Sequence, residues 1–182
     1  MSKLYTIGHS THTIKEFLAL LHAHQIDCVI DVRTIPKSRY VPWFNKERLK
    51  ASLSKEGIRY IHMAGLGGLR KTSKDSINQG WRNASFRGYA DYMQTPAFFA
   101  ALKKLNEYIK SQHRVAIMCA EAVPWRCHRS LISDAELVRG IKVLDIMNVN
   151  KPRPHQLTSF AVVNRKKRPI QIYYPKDNKT MK

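Results

Sequence analysis

Short β-rich segments alternate with amphipathic helical segments along the first 146 residues, and this alternation constrains the fold more than any other feature. The β-rich segments span residues 4–7, 28–32, 58–61, 115–118 and 141–146. Apolar residues recur at helical spacing between them, as in Phe98, Leu102, Leu105 and Ile109. The pattern predicts a single α/β domain over residues 1–175, with a mostly parallel central sheet of about five strands flanked by helices on both faces.

Local signals refine this expectation. Thr13 and Glu16 have the spacing of a capping box, and Asn45 is placed to cap a second helix. Residues 69–94 are polar and predict no regular element. The C-terminal part forms a basic extension, in which Ile170–Tyr174 is expected to add an edge strand and residues 176–182 to be a disordered tail.

Charge and cysteine content narrow the class of protein. The chain has 32 Lys and Arg against 13 Asp and Glu, a formal net charge of +19, which favours contact with polyanions such as nucleic acid. Its three cysteines are too few and too unevenly spaced for a secreted disulfide framework. No apolar run approaches the roughly 20 residues of a membrane span. A cytoplasmic protein without a membrane partner is the expectation.

Polar and titratable residues follow four of the predicted strands. They are His9 and Ser10 after the first strand, Asp31 and Arg33 at the second, Gly67 and Gly68 after the third, and Cys119 and Glu121 at the fourth. In sheets of this kind ligands bind beyond the carboxyl ends of the strands. Each residue also has a structural explanation: His9 and Ser10 as turn caps, Asp31 and Arg33 in ion pairs, and the glycines in a tight turn.

The segment from Cys119 to Ser130 holds the densest chemistry and leads from a strand into a helix. A helix N-terminus and the nearby Arg126 and Arg129 would lower the pKa of a thiol and attract an anion. Cys119 or Cys127 would then be a reactive thiolate, with His128 as base or orienting group. Alternatively, Cys119, Cys127 and His128 bind a metal such as zinc, or the cysteines are only packed in a turn.

Two hypotheses about function follow. The first is an enzyme that binds a phosphate-like anion at the strand-end rim; its catalytic candidates are Cys119, Cys127, His128, His9, Asp31 and Glu121, and its anion-binding candidates are Ser10, Arg33, Ser38, Gly67, Gly68, Arg126 and Arg129. The second is a non-catalytic nucleic-acid-binding protein that uses the basic tail and the aromatic residues of 81–87. The two combine in an enzyme that acts on nucleic acid. The sequence identifies no cofactor, reaction or oligomeric state.

Taken together, the motifs resemble those of the family called domain of unknown function 488. The resemblance extends over roughly Leu4 to Pro175 and rests on Gly8-His9-Ser10, Asp31-Val32-Arg33, Pro36-x-Ser38, Gly57-Ile58-x-Tyr60, Leu66-Gly67-Gly68, Phe86-x-Gly88-Tyr89, Cys119-Ala120-Glu121 and Cys127-His128-Arg129. It implies a compact α/β domain and brings no reaction, substrate or cofactor. The chain departs from the family pattern at Asp145, where members often have a histidine, whereas His155 matches a later histidine.

A weaker likeness is to the rhodanese-type sulfurtransferases and cysteine phosphatases. Asp31-Val32-Arg33 resembles a rhodanese strand ending, and Cys119 stands where the catalytic cysteine of those enzymes stands. The loop departs from their pattern, because six residues separate Cys119 from Arg126 and the loop has no glycine. A related anion-binding loop is the expectation that this likeness supports.

Overall fold

The structure is a computed structural model that describes residues 2–111 and 114–176. Its strands are β1 (Lys3–Gly8), β2 (Cys28–Asp31), β3 (Arg59–His62), β4 (Val115–Cys119), β5 (Lys142–Ile146), β6 (Arg153–Pro154), β7 (Val162–Asn164) and β8 (Gln171–Tyr173). Its α-helices are α1 (Ile14–Ala23), α2 (Lys46–Lys55), α3 (Ala84–Tyr92), α4 (Pro96–Ser111) and α5 (Arg129–Leu137). None of these helices is long and apolar enough to cross a lipid bilayer.

The central sheet has six strands in the order β3-β2-β4-β1-β5-β6. The first five are parallel, and β6 pairs antiparallel to β5. Helices α1 and α2 cover one face, where Phe17 and Leu49 are fully buried. Helices α3, α4 and α5 cover the other face, where Tyr89 and Leu131 are buried. The predicted α/β architecture with helices on both faces is therefore confirmed.

The capping signals have different outcomes. Thr13 and Glu16 form the predicted capping box: the Glu16 backbone N–H donates to Thr13 Oγ1 at 3.1 Å, and the Thr13 N–H donates to Glu16 Oε2 at 2.7 Å. Asn45 stands at the start of α2, but its side chain makes no capping hydrogen bond. Its Oδ1 instead accepts from the Ser38 N–H at 2.7 Å and closes the preceding loop.

The polar stretch 69–94 contains a helix that the sequence pattern did not predict. Asn83 caps α3 by accepting from two backbone N–H groups, and Gly88 lies in the middle of the helix. A Cβ on Gly88 would lie 2.2 Å from the Arg70 carbonyl oxygen, so only glycine allows this close packing. A glycine inside a polar segment ordinarily indicates a loop, which is why the pattern was misleading.

The C-terminal extension also differs from the expectation. The predicted strand near residues 170–174 exists as β8, but it pairs with β7 in a separate two-stranded sheet. The strand that extends the central sheet is β6, and Arg153 in it pairs with Asp145 of β5. The tail predicted to be disordered is residues 176–182, of which 177–182 lie outside the described residues.

The sheet register brings the carboxyl ends of four strands together. Gly8 at the end of β1 pairs with Cys119 at the end of β4, and Asp31 of β2 pairs with Met118 of β4 on one side and His62 of β3 on the other. The next two N–H groups of the β1 end continue the contact: His9 donates to the Cys119 carbonyl and Ser10 to the Ala120 carbonyl, both at 2.9 Å. The segment after β4 is thus tied to the segment after β1.

Gly8→Ala tests this contact. A Cβ at Gly8 would lie 2.0 Å from the Glu121 carbonyl oxygen, so the loop after Cys119 must move. We expect the free energy of unfolding to fall by about 1–3 kcal/mol, the usual range for overpacking. The measurement is chemical denaturation. Gly65→Ala is the control, since its Cβ would meet the Ala101 Cβ at 3.0 Å and no backbone atom. An equal loss of unfolding free energy in both variants would show that the close approach of Gly8 to Glu121 has no special importance.

Candidate functional site

Two adjoining clefts open where the strand ends meet the segment between β4 and α5. The larger, here called the central cleft, has a volume of about 520 Å³ and is lined by Tyr89, Cys119, Arg126, Cys127 and His128 among others. The smaller, here called the side cleft, has a volume of about 340 Å³ and includes His9, Arg33, Lys37 and Ser38. Gly68, Leu69, Cys119, Ala120 and His128 line both, so the two clefts are continuous.

Three soft-metal or nucleophilic donors converge on the central cleft. The sulfurs of Cys119 and Cys127 and a ring nitrogen of His128 all lie within 4.8 Å of one another. Cys127 Sγ is 3.7 Å from His128 Nδ1, and His128 Nε2 lies 3.1 Å from the Val32 carbonyl oxygen. Because a carbonyl only accepts, Nε2 carries a hydrogen, and Nδ1 is the ring nitrogen that faces the Cys127 sulfur.

The two thiols have opposite pKa shifts. Cys119 donates its S–H to Cys127, which lowers the pKa of Cys127 well below the usual thiol value; His128 and the positive charge of Arg129 lower it further. The pKa of Cys119 is raised because it gives this hydrogen bond and is itself largely buried. The interaction between the two thiols therefore favours a thiolate on Cys127 over one on Cys119.

The Arg129 side chain lies between the central sheet and the segment that follows β4, and it binds both. The side chain is only 1 % exposed. One terminal nitrogen donates to Thr6 Oγ1 at 3.1 Å, and the other donates to the Glu121 carbonyl oxygen. Thr6 in turn donates to Asp145 Oδ1 at 2.9 Å. Arg129 therefore lies buried under the loop, where its charge favours the thiolate form of Cys127, and its predicted role as an anion ligand stays a prediction.

Asp31 and Arg33 form an ion pair with each other. The Arg33 guanidinium donates to both carboxylate oxygens of Asp31, at 2.9 and 2.6 Å, and also to the Phe44 carbonyl at 2.8 Å. Its remaining terminal nitrogen is 3.2 Å from His9 Nε2. Asp31 is fully buried, so this pair satisfies an interior charge, and Arg33 lines the side cleft together with His9.

His9 is held as a neutral acceptor. Its Nδ1 lies 2.8 Å from the Ser10 carbonyl and carries the hydrogen, which leaves Nε2 to accept from Arg33. Burial, together with the charge of Arg33, lowers the pKa of His9 from 6.5 to about 4. The ring also stacks on Phe44 with a centroid distance of 4.3 Å. His9 is therefore packed and oriented rather than poised to exchange protons near neutral pH.

The other predicted residues are divided between the clefts and the loops that hold them. Gly68, Glu121 and Arg126 line the central cleft, and Glu121 and Arg126 are exposed. Ser38 lines the side cleft, where its hydroxyl oxygen accepts from the Val41 N–H at 3.2 Å. Gly67 is buried, and a Cβ there would lie 2.5 Å from Thr34 Oγ1. Ser10 contributes its backbone, in a left-handed conformation with φ of 45°.

Two features of the site were not predicted as functional. The Tyr89 ring packs against His128 at a centroid distance of 5.0 Å, and its hydroxyl donates to the Leu66 carbonyl at 2.8 Å. The Val32 carbonyl orients the His128 ring. The sequence marks Tyr89 through the motif Phe86-x-Gly88-Tyr89, which by itself indicates no role, and a backbone acceptor such as Val32 has no side-chain signal at all.

The neutral state of His9 gives a pH prediction. The unfolded chain takes up a proton at His9 below pH 6.5, whereas the folded chain does so only near pH 4. Stability from this residue is therefore complete above pH 6.5 and is lost as the pH falls toward 4. We expect the free energy of unfolding of His9→Asn to depend less on pH in this window than that of the wild type. Identical pH slopes in denaturant titrations would refute this.

Comparison with known proteins places the chain in a family. A family model described as "Domain of unknown function DUF488" matches residues 13–136. This range includes Asp31, Arg33, Cys119, Cys127 and His128, while β1 and β5 lie outside it. Searches of curated proteins and of solved structures gave no match. The match covers more than half of the chain and agrees with the motifs around the clefts, and the chain belongs to the DUF488 family.

Proposed function

We propose that the chain is a thiol-dependent enzyme whose nucleophile is the Cys127 thiolate in the central cleft. The observation that carries this is the convergence of Cys119, Cys127 and His128 within 4.8 Å at the wall of a cleft of substrate size. Cys119 supplies a hydrogen bond to the thiolate, and His128 is fixed by Val32 so that Nδ1 faces the sulfur.

The substrate is an electrophile that carries a phosphate-like anionic group. Arg126 is exposed on the wall of the central cleft, and its side chain makes no hydrogen bond or ion pair with any residue that the structure describes, whereas terminal nitrogens of Arg33 and Arg129 donate to protein oxygens. In the reaction, Sγ of Cys127 forms a bond to the electrophilic atom. The leaving group departs with its electron pair, and the Cys119 thiol can supply its proton.

The rate of alkylation tests the thiolate assignment. Because the pKa of Cys127 is lowered, its reaction with iodoacetamide should reach its plateau at a lower pH than a free cysteine, whose pKa is about 8.5. Cys127→Ser should abolish the fast reaction. Cys119→Ala should keep a reactive thiol but move the plateau to higher pH, because the hydrogen bond to the thiolate is gone.

Cys28 is the internal control for this experiment. It is fully buried, and burial raises its pKa to about 11, so it should stay unmodified in the native protein. Peptide mapping by mass spectrometry identifies the modified residue. A fast reaction that survives Cys127→Ser, or a native protein in which both cleft thiols are inert, would overturn the proposal.

A second candidate function is favoured by the same three donors. Two cysteines and one histidine beside a cleft, with a carbonyl on the second histidine nitrogen, are a ligand set and an outer-shell contact typical of catalytic zinc sites. The ion would be held by Cys119, Cys127 and His128, with one position left for a substrate or water. In this alternative both thiols would be ligands, and neither would be a nucleophile.

Metal analysis separates the two candidates. For a thiol enzyme we expect the protein purified without chelators to contain well under one equivalent of zinc, and added zinc to be removed by a mild chelator. One equivalent of zinc that resists the chelator and is lost in Cys119→Ser and His128→Gln would instead establish the metal site. Cys28→Ser is the matched control. Cys28 is the first residue of β2, whereas the clefts lie at the carboxyl ends of the strands.

A further inference from the structure

A groove continues from the central cleft across the surface of the protein. The central cleft shares Asn83, Phe86, Glu121 and Arg126 with a neighbouring depression of about 590 Å³. That depression shares Trp81 and Trp125 with a third one of about 390 Å³, which ends at Arg153 and His155. The three form one path that leads away from Cys127, a shape suited to a linear ligand rather than to a single small molecule.

Trp125 offers an exposed aromatic ring in this groove. Its exposed fraction is 55 %, and the Arg153 guanidinium lies 5.1 Å from its ring centroid. The aromatic residues that the sequence favoured for stacking are already packed. Trp81 stacks on Phe86 at 4.7 Å and packs edge-on against Phe160 at 4.9 Å. A planar ligand group would therefore find its stacking partner at Trp125.

The charge of the groove is suited to a polyanion. Arg82, Arg126 and Arg153 line it and are exposed, and none of them is in an ion pair within residues 2–111 and 114–176. Two carboxylates also lie along the path. Glu121 is exposed and accepts a hydrogen bond from the Val123 N–H, while Asp145 is buried and accepts from Thr6.

We propose that this groove binds single-stranded nucleic acid, with a base stacked on Trp125 and phosphates bound by Arg82, Arg126 and Arg153. Base stacking on an aromatic ring combined with a basic track is the usual way in which proteins hold single strands. A duplex should bind more weakly because its bases are already stacked on one another. The proposal rests on the proposed function and deepens it: the bound nucleic acid would present its reactive group to Cys127 in the central cleft.

Binding is measured by fluorescence anisotropy with a labelled oligothymidylate of about 12 nucleotides and a labelled duplex of equal length. We expect the single strand to bind at least about tenfold more tightly than the duplex, and Trp125→Ala to weaken single-strand binding by about tenfold, as loss of one stacked base does. Trp125→Phe should restore most of the affinity, which distinguishes stacking from damage to the fold.

Salt dependence tests the arginines. With three phosphate contacts, the logarithm of the binding constant should fall with the logarithm of the salt concentration with a slope of at least about 2. The double variant Arg126→Gln/Arg153→Gln should lower this slope by about 1.4. Arg48→Gln is the matched control: Arg48 is exposed on α2, which covers the opposite face of the sheet. Equal effects of Arg48 and Arg126 substitutions would mean that only net charge matters and would overturn the proposal.

Two further results distinguish nucleic acid from acidic polypeptides as the ligand, and the groove proposal from the thiol-enzyme proposal. Displacement of the oligonucleotide by polyglutamate at the same charge concentration would show a surface for acidic polypeptides and would also overturn it. Failure of binding in a protein with a reactive Cys127 would refute the groove alone, and normal binding with inert thiols would refute the thiol enzyme alone.

Discussion

The buried guanidinium of Arg129 is the interaction on which the site depends. It is inside the protein and joins the chain at three places: β1 through Thr6, β5 through Thr6 and Asp145, and the loop after β4 through the Glu121 carbonyl. A buried charge that loses its partners is strongly destabilising, so the loop is held where the arginine can bind it. The same positive charge lies near enough to the two thiols to favour a thiolate.

The strand register and the histidine orientation follow from this arrangement. The loop lies directly over Gly8, whose missing side chain leaves room for the Glu121 carbonyl. Cys127 is then placed next to His128, and the Val32 carbonyl at the end of β2 fixes the histidine ring. Contacts from β1, β5 and the end of β2 therefore determine the position of the Cys127 thiol, which belongs to none of these strands.

The sequence predicted the architecture because the signals for it are local. Short apolar strands, helical spacing and a capping box at Thr13 each depend on a few neighbouring residues, and the meeting of the ends of β1, β2, β3 and β4 at one edge of the sheet followed from the rule for parallel sheets. The hydrogen-bond partners of Arg33 and Arg129 did not follow, since they are set by which oxygens the fold brings near: those of Asp31 in one case and the Glu121 carbonyl in the other. Helix α3 was missed because Gly88 serves a close approach to Arg70 that has no sequence signature.

The position of β1 in the sheet limits which fragments of the domain can fold on their own. The matched range begins at residue 13, yet β1 is the strand between β4 and β5 in the middle of the sheet. A fragment limited to residues 13–136 would lack both β1 and β5, so β4 would become an edge strand with unpaired N–H and C=O groups beside the buried Ile117 and Met118. Exposed apolar edges of this kind recruit other chains, and such a fragment would aggregate instead of folding as a smaller version of the domain.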